Sequence, residues 1–244
     1  MGEKMSDNNI IIKNRFRYEL KYFLNKYEFE VINARLHTFL KNDKNVMDDG
    51  TYFIRSLYLD NYNDTSFYQV LNGISEREKY RIRYYNNDLN YICLEKKYKI
   101  NNMTYKTSYR ISKKELMDLL NNKLDINKNN NKLLNEFILK IKFMGYKPTV
   151  IIDYNRIPFV YEAGNVRITL DYNIAIDTRV DNFLKKEGQA VPIIEKDYCI
   201  LEVKYDDFLP NYISWLVNIN ELEQTAYSKY LNGRIMQKRI KGGL

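Results

Sequence analysis

Alternation with a period of two runs through much of this chain, and in segment after segment one of the two alternating sets is charged. Lys79-Tyr80-Arg81-Ile82-Arg83-Tyr84 is the clearest case: as a strand it presents Lys79, Arg81 and Arg83 on one face and Tyr80, Ile82 and Tyr84 on the other. The same pattern predicts strands over 15–23 (Arg15, Arg17, Glu19 and Lys21 opposite Phe16, Tyr18, Leu20 and Tyr22) and over 91–100 (Glu95, Lys97 and Lys99 opposite Ile92, Leu94 and Tyr98). It recurs over 166–174 (Arg167, Thr169 and Asp171 opposite Val166, Ile168 and Leu170) and over 200–205 (Glu202 and Lys204 opposite Leu201, Val203 and Tyr205). Further strands are expected over 52–60, 103–111 (carrying Lys106 and Arg110), 148–156 and 157–162, with a turn at 86–90.

Between these strands the period lengthens to that of helices. Asn25 with Glu28 forms a capping box, with Leu24 and Phe29 at staple spacing, and opens a helix to about residue 41. Ser112 with Glu115 opens another to about residue 120, and 133–144 is a third, closed by Gly145 and Pro148. Residues 65–71 read as a short helix, and 210–239 as two helical pieces, the second holding Ser228-Lys229-Tyr230. Trp215 and the other helical aromatics are expected in the core.

Charged sets of both signs, mostly basic, leave two architectures. An open sheet would turn them to water, whereas a closed antiparallel barrel would line its interior with them and leave an apolar exterior for the helices to cover. The barrel accounts for the helices. A basic lumen is a place for phosphates, because confined cations repel one another until an anion fills the space. On that argument Arg81→Ala should leave the empty protein at least as stable as before. The interspersed glutamates offer hard oxygen ligands to a divalent metal.

Composition narrows the partner only to a class. A formal charge of +8 favours a polyanion. The strand cations lack the stacking platform of exposed aromatics that a nucleic-acid surface would interleave, so no nucleic acid is expected. Cys93 and Cys199 lack metal or disulfide spacing and fit a reducing compartment, and the single histidine, His37, lies in a helical pattern and offers no triad. No apolar run approaches the ~18 residues of a membrane span, so a cytoplasmic protein is expected. The expected layout is one domain over 1–244, with 1–10 flexible and 121–132 a low-complexity loop.

An ordered set of segments then resembles a known family. Arg17-Tyr18-Glu19-Leu20-Lys21-Tyr22, Ser56-Leu57-Tyr58-Leu59-Asp60, the stretch 79–84, Leu94-Glu95-Lys96-Lys97, Tyr154-Asn155-Arg156, Val166-Arg167-Ile168-Thr169-Leu170-Asp171, Leu201-Glu202-Val203-Lys204 and Ser228-Lys229-Tyr230 are similar, in that order, to the polyphosphate polymerase domain of the vacuolar transporter chaperone complex, within the triphosphate tunnel metalloenzymes. The resemblance implies an α+β fold with a closed, eight-stranded antiparallel barrel flanked by helices. It implies transfer of the γ-phosphate of ATP to inorganic polyphosphate, with Mn2+ or Mg2+. Carried over by position, Arg81, Arg83, Lys97, Arg156 and Lys229 would be catalytic. Lys21, Lys79, Lys106, Arg167 and Lys204 would bind substrate. Glu202 and Glu19 would hold the metal, with Asp171 second as a metal or lysine-orienting group. The resemblance covers neither a helical regulatory domain nor membrane helices, so export of product and a membrane-protein partner are both left open. The alternatives are a tunnel triphosphatase and a binding module without catalysis.

Overall fold

The computed structural model describes residues 10–44, 46–126, 131–185, 190–195, 197–218 and 221–242. Its elements follow in the order β1 (Ile10–Leu24), α1 (Lys26–Phe39), β2 (Lys41–Asn42), β3 (Tyr52–Asp60), α2 (Thr65–Leu71), β4 (Arg77–Tyr85), β5 (Asp88–Ile100), β6 (Met103–Ile111), α3 (Lys113–Leu120) and α4 (Lys132–Phe143). Then come β7 (Lys147–Tyr161), β8 (Val166–Asp177), β9 (Val191–Pro192), β10 (Cys199–Tyr205), α5 (Asn211–Leu216) and α6 (Lys229–Ile240). Eight strands form a ring in the order β7, β3, β4, β5, β6, β1, β10, β8, closed by the pairing of β8 with β7, and every neighbour is antiparallel. The expected closed barrel is therefore present, with β2 and β9 added outside the ring.

Local chemistry sets the boundaries. Asn25 and Ser112 cap α1 and α3 by accepting from the backbone N–H of Glu28 and Glu115, and each glutamate side chain returns to the cap's own N–H. Asn86 and Asn87 both take positive φ at the hairpin joining β4 to β5, a conformation asparagine tolerates better than most residues. Gly145 ends the turn after α4 at φ 67°, and any Cβ there would run into the Tyr62 ring.

The outward faces are apolar. Leu57, Leu59, Tyr80, Ile82, Tyr84, Ile92 and Leu94 pack beneath Leu116 and Leu119 of α3 and Leu134, Phe137 and Ile138 of α4. On the other side Leu201, Val203, Ile168 and Leu170 pack beneath Ile32 and Leu36 of α1 and Ile213 and Leu216 of α5. Each large aliphatic side chain removed from water in this way contributes ~1.5–3 kcal/mol, so the helices are the barrel's hydrophobic coat.

Four expectations are corrected. The segments expected as strands 148–156 and 157–162 are one strand, because alternation continues unbroken past Arg156 and β7 is hydrogen-bonded to β3 and β8 along its length. The polar N-terminal segment expected as flexible to residue 10 gives way to strand already at Ile10, which pairs with Tyr109 of β6; residues 1–9 lie outside the described residues. Part of the expected loop 121–132 lies outside them as well. Trp215, expected in the core, is 68% exposed, since α5 is too short to bury more than the side carrying Ile213 and Leu216. The fourth correction concerns Arg81 and belongs to the lumen. Among the described residues no helix is long and apolar enough to cross a membrane.

Candidate active site

Antiparallel register places directly opposed residues on the same face. It sets Lys79 beside Lys97 and Lys97 beside Lys106, Arg81 beside Glu95, Lys21 beside Glu202, Glu19 beside Lys204, and Arg156 beside Asp171, all on the inner face of the ring. The lumen is thus built by strand pairing alone.

Three clusters of charge result. In the first, Arg81 Nε donates to Glu95 Oε2 at 2.6 Å, Lys106 Nζ donates to Glu95 Oε1 at 2.7 Å, and Arg83 Nη1 lies 3.8 Å from Glu95 Oε2. Arg83 is fixed further by Ser56 Oγ (2.8 Å) and the Tyr154 hydroxyl (2.9 Å), and Arg81 by the Tyr58 hydroxyl (3.2 Å). The repulsion expected of Arg81 is therefore absent: it is neutralised within the protein. Burial alone would push the Glu95 carboxyl up, but Arg81, Lys106 and Arg83 hold it well below the usual carboxylate range.

In the second cluster Glu19 and Glu202 share their cations. Lys21 Nζ lies 3.0 Å from Glu19 and 3.6 Å from Glu202, Lys204 contacts Glu202 and sits 4.0 Å from Glu19, and Lys97 Nζ donates to Glu19 at 2.6 Å. Burial and their mutual repulsion oppose ionisation of this carboxylate pair, yet the three lysines hold both below the ordinary range. The cost falls on Lys97, whose ammonium burial and the neighbouring Lys21 and Lys204 push down to about 8 despite Glu19.

In the third cluster Arg156 grips Asp171 with two bonds of 2.5 and 2.7 Å, and Lys229 from α6 reaches the same carboxylate at 2.5 Å. Asp171 is the group that orients Arg156 and Lys229. The Tyr154 ring lies beside this cluster, with Lys229 Nζ 4.8 Å and the Arg156 guanidinium 5.4 Å from its centroid. Burial would raise the Tyr154 phenol, but Arg83, Arg156 and Lys229 lower it.

Lys79 and Arg167 stand apart from these clusters. Lys79 Nζ donates to the Ser228 hydroxyl at 3.0 Å, and burial together with Lys97, Lys21 and Arg77 holds it well below the lysine range. Arg167 lies towards one rim, where Asp43 (2.9 Å) and the Tyr52 hydroxyl (2.8 Å) occupy it. The structure brings together Lys21, Arg81, Arg83, Lys97, Lys106, Arg156, Lys204, Lys229, Glu19 and Glu202, and leaves Arg167 outside. Glu95, Tyr58 and Tyr154 were missing from the expected site. Glu95 shares strand parity with Lys97 and Tyr154 with Arg156, and that parity was the available signal; β3 carried no expected site residue that could have pointed to Tyr58.

Whether the carboxylate pair suits a divalent ion can be judged from its donors. Glu19 and Glu202 offer hard oxygens in a buried setting, and Thr169, directly opposite Glu202, is buried with a hydroxyl oxygen that has no hydrogen-bond partner. Among the described residues no three acidic, histidine or cysteine side chains cluster for a metal by themselves. The donor set fits an ion held by one or two carboxylates and completed by substrate oxygens.

The closed antiparallel barrel with helices outside and charges within is the architecture that the resemblance implied. The VTC domain matches residues 16–237, and the chain belongs to that family. Among solved structures, a putative adenylate cyclase from Bacillus halodurans is 13% identical, with 88% of this chain and 94% of that one covered at a TM-score of 0.54, which shows a shared fold. The PH1819 protein from Pyrococcus horikoshii OT3 matches at 16% identity over 91% and 99% of the two chains (TM-score 0.48), and the Mimivirus capping enzyme triphosphatase at 11% over 85% and 88% (TM-score 0.37). No curated protein sequence matches the chain.

Proposed function

We propose that this tunnel transfers the terminal phosphoryl group of ATP to the end of an inorganic polyphosphate chain. Membership of the VTC domain family and the cationic lumen support a phosphate-handling enzyme. One observation favours transfer to phosphate over hydrolysis: each of Glu19, Glu95, Asp171 and Glu202 is tied to at least two cations and held below the ordinary carboxylate range. None is poised to deprotonate water. A phosphate acceptor is already an anion and needs no base, only alignment and neutralisation of charge.

In this reading Arg81, Arg83, Arg156 and Lys229 grip the triphosphate, each kept in place by a carboxylate or phenol. Lys21, Lys97 and Lys204 move from the glutamates towards phosphate oxygens as the substrate enters. Glu202, with Glu19, would hold a magnesium or manganese ion, which supplies neutralisation of the transferring group. Protein incubated with ATP and a divalent metal, its products resolved on a gel stained for polyphosphate, tests this. A ladder is expected; release of free phosphate alone would make the protein a triphosphatase, and no turnover would leave a binding module.

A further inference from the structure

Beyond the phosphate clusters the inner face becomes aromatic. Where β3 begins, β4 ends and β5 begins, strand parity carries the inward set from Arg83 on to Tyr85 and from Glu95 back through Cys93 to Tyr91, and Tyr52 stands directly opposite Arg156. Three rings follow one another around this rim. Tyr52 meets Tyr85 edge to face with centroids 5.7 Å apart, and Tyr85 meets Tyr91 at 6.3 Å. The row ends on a cation from β6, the Arg110 guanidinium, which lies 4.9 Å from the Tyr91 centroid and is anchored by donating to the Asn90 carbonyl at 2.9 Å. Exposure grows along the row: Tyr52 is buried, Tyr85 and Tyr91 are half-buried and Arg110 is exposed.

Deeper in, Tyr58 and Tyr154 use their hydroxyls to fix Arg81 and Arg83 and so belong to the phosphate clusters. Tyr85 and Tyr91 instead offer ring surface beside a charged cavity, the contact that a flat, uncharged group needs. Tyr85 lies two residues beyond Arg83 on the same strand face, about 6.6 Å along the strand, the reach of one sugar between a base and its first phosphate. The polar groups of this rim that could read the edge of a base are engaged within the protein. Asn86 Oδ1 accepts from the Phe53 N–H and Asp88 Oδ1 from the Asn90 N–H, both at 2.8 Å, while Asp43 and the Tyr52 hydroxyl hold Arg167. We infer that Tyr85 and Tyr91 stack the nucleobase of the phosphoryl donor without reading its edge, so that purine nucleoside triphosphates are accepted as a class and ATP is not singled out. Stacking of this kind is tolerant because every base has a π-face. The inference rests on the phosphate-handling function proposed above.

The test separates base from phosphate. The β,γ-imido analogues of ATP, GTP and methyl triphosphate, which resist transfer, are titrated calorimetrically against the full chain with Mg2+ at fixed salt; the methyl ester carries the same triphosphate and no base. The two purine analogues should bind within about 3-fold of each other and each about 10-fold more tightly than the methyl ester. In Tyr91→Leu that advantage should fall to about 2-fold or less, with binding of the methyl ester unchanged. A second readout needs no variant: 2-aminopurine riboside triphosphate should lose fluorescence on binding the wild-type protein, because stacking quenches it. Purine analogues that bind no better than the methyl ester, an unquenched probe, or an advantage that survives both Tyr91→Leu and Tyr85→Leu overturns the stacking site while leaving phosphate recognition intact. A preference for ATP over GTP of about 10-fold or more, equivalent to about 1.4 kcal/mol, would show that the edge is read and overturns the class-wide acceptance. Failure to bind all three analogues and tripolyphosphate removes the phosphate reading itself, and this inference with it.

Discussion

Two arginine–carboxylate pairs lie on the same three strands and face opposite ways through the barrel wall. Arg55 of β3 meets Asp153 of β7 on the outside with bonds of 2.9 and 2.8 Å; Arg156 of β7 meets Asp171 of β8 on the inside with bonds of 2.5 and 2.7 Å. Both are buried and bidentate, and by shape they are nearly interchangeable. Their surroundings separate them. Outside, burial pushes the Asp153 carboxyl up even beside Arg55, and the Lys185 carbonyl takes the remaining guanidinium donor at 2.5 Å. Inside, Lys229 adds a second cation, and Asp171 is held down against its burial. A pair with its charges matched closes on itself, whereas one with a surplus cation faces an anion yet to arrive.

The largest effect should come from breaking each pair in turn. Asp153→Asn leaves a buried guanidinium uncompensated and should cost about 3 kcal/mol or more. Tripolyphosphate should raise its melting temperature no more than it raises that of the wild type. Asp171→Asn should also melt lower, but there added tripolyphosphate should recover most of the loss, because phosphate oxygens replace the missing carboxylate. Equal recovery in both variants would erase the distinction between the two sides of the wall.

Next in size is Glu202→Gln. The neutral isostere should still fold, melting lower because Lys204 and Lys21 lose a buried partner, and should lose about 100-fold or more in turnover, the scale of several kcal/mol expected when a metal-binding charge is removed. Unchanged rates at limiting metal would move the metal reading away from the carboxylate pair.

Arg81→Ala tests the first cluster. Glu95 keeps Lys106 as a partner, so the loss of stability should be about 1–2 kcal/mol, the worth of a charged hydrogen bond, and stabilisation by triphosphate should fall sharply. Melting at or above the wild-type temperature would restore the crowded-cation expectation that the Glu95 contact contradicts.

The smallest effect is a slope with pH. The folded state holds Lys79 well below the lysine value of 10.5, so between that depressed value and 10.5 the unfolded chain binds the extra proton, and stability rises with pH through this window. Below it the full cost of charging Lys79 is present. Lys79→Met should be the more stable protein at the low-pH side of the window and should flatten the slope seen in denaturant melts; an unchanged slope would mean that Lys79 is charged and compensated.

The barrel and most of its inner face were legible because strand pairing preserves parity: once Arg81 faces inward, Glu95 and Lys97 must do so too. What parity cannot show is pairing distance. Sequence alternation placed Arg81 among cations, but which of them met a carboxylate depended on the register between β4, β5 and β6. Arg167 shows the same limit, since the Asp43 that occupies it comes from the loop after β2. The burial of α6 was illegible for another reason. Its buried face is formed by Tyr230, Gly233, Arg234 and Gln237, two of them polar, with Leu231, Ile235 and Met236 packed beside them, so it lacks a continuous apolar stripe.

The closing of the ring also bears on how the protein is made. β1 is translated first, but its pairing with β10 joins Tyr18 to Tyr205, and Lys21 to Glu202. At ribosomal speeds of ~5–20 residues per second, β1 waits roughly 10–40 s for that partner. During synthesis its far edge stays open, with Phe16 and Tyr18 on one side and the future lumen charges on the other. Those charges are the feature that discourages a foreign strand from docking there. The side chains assigned here to phosphate would thus guard the nascent chain before they have any substrate to hold.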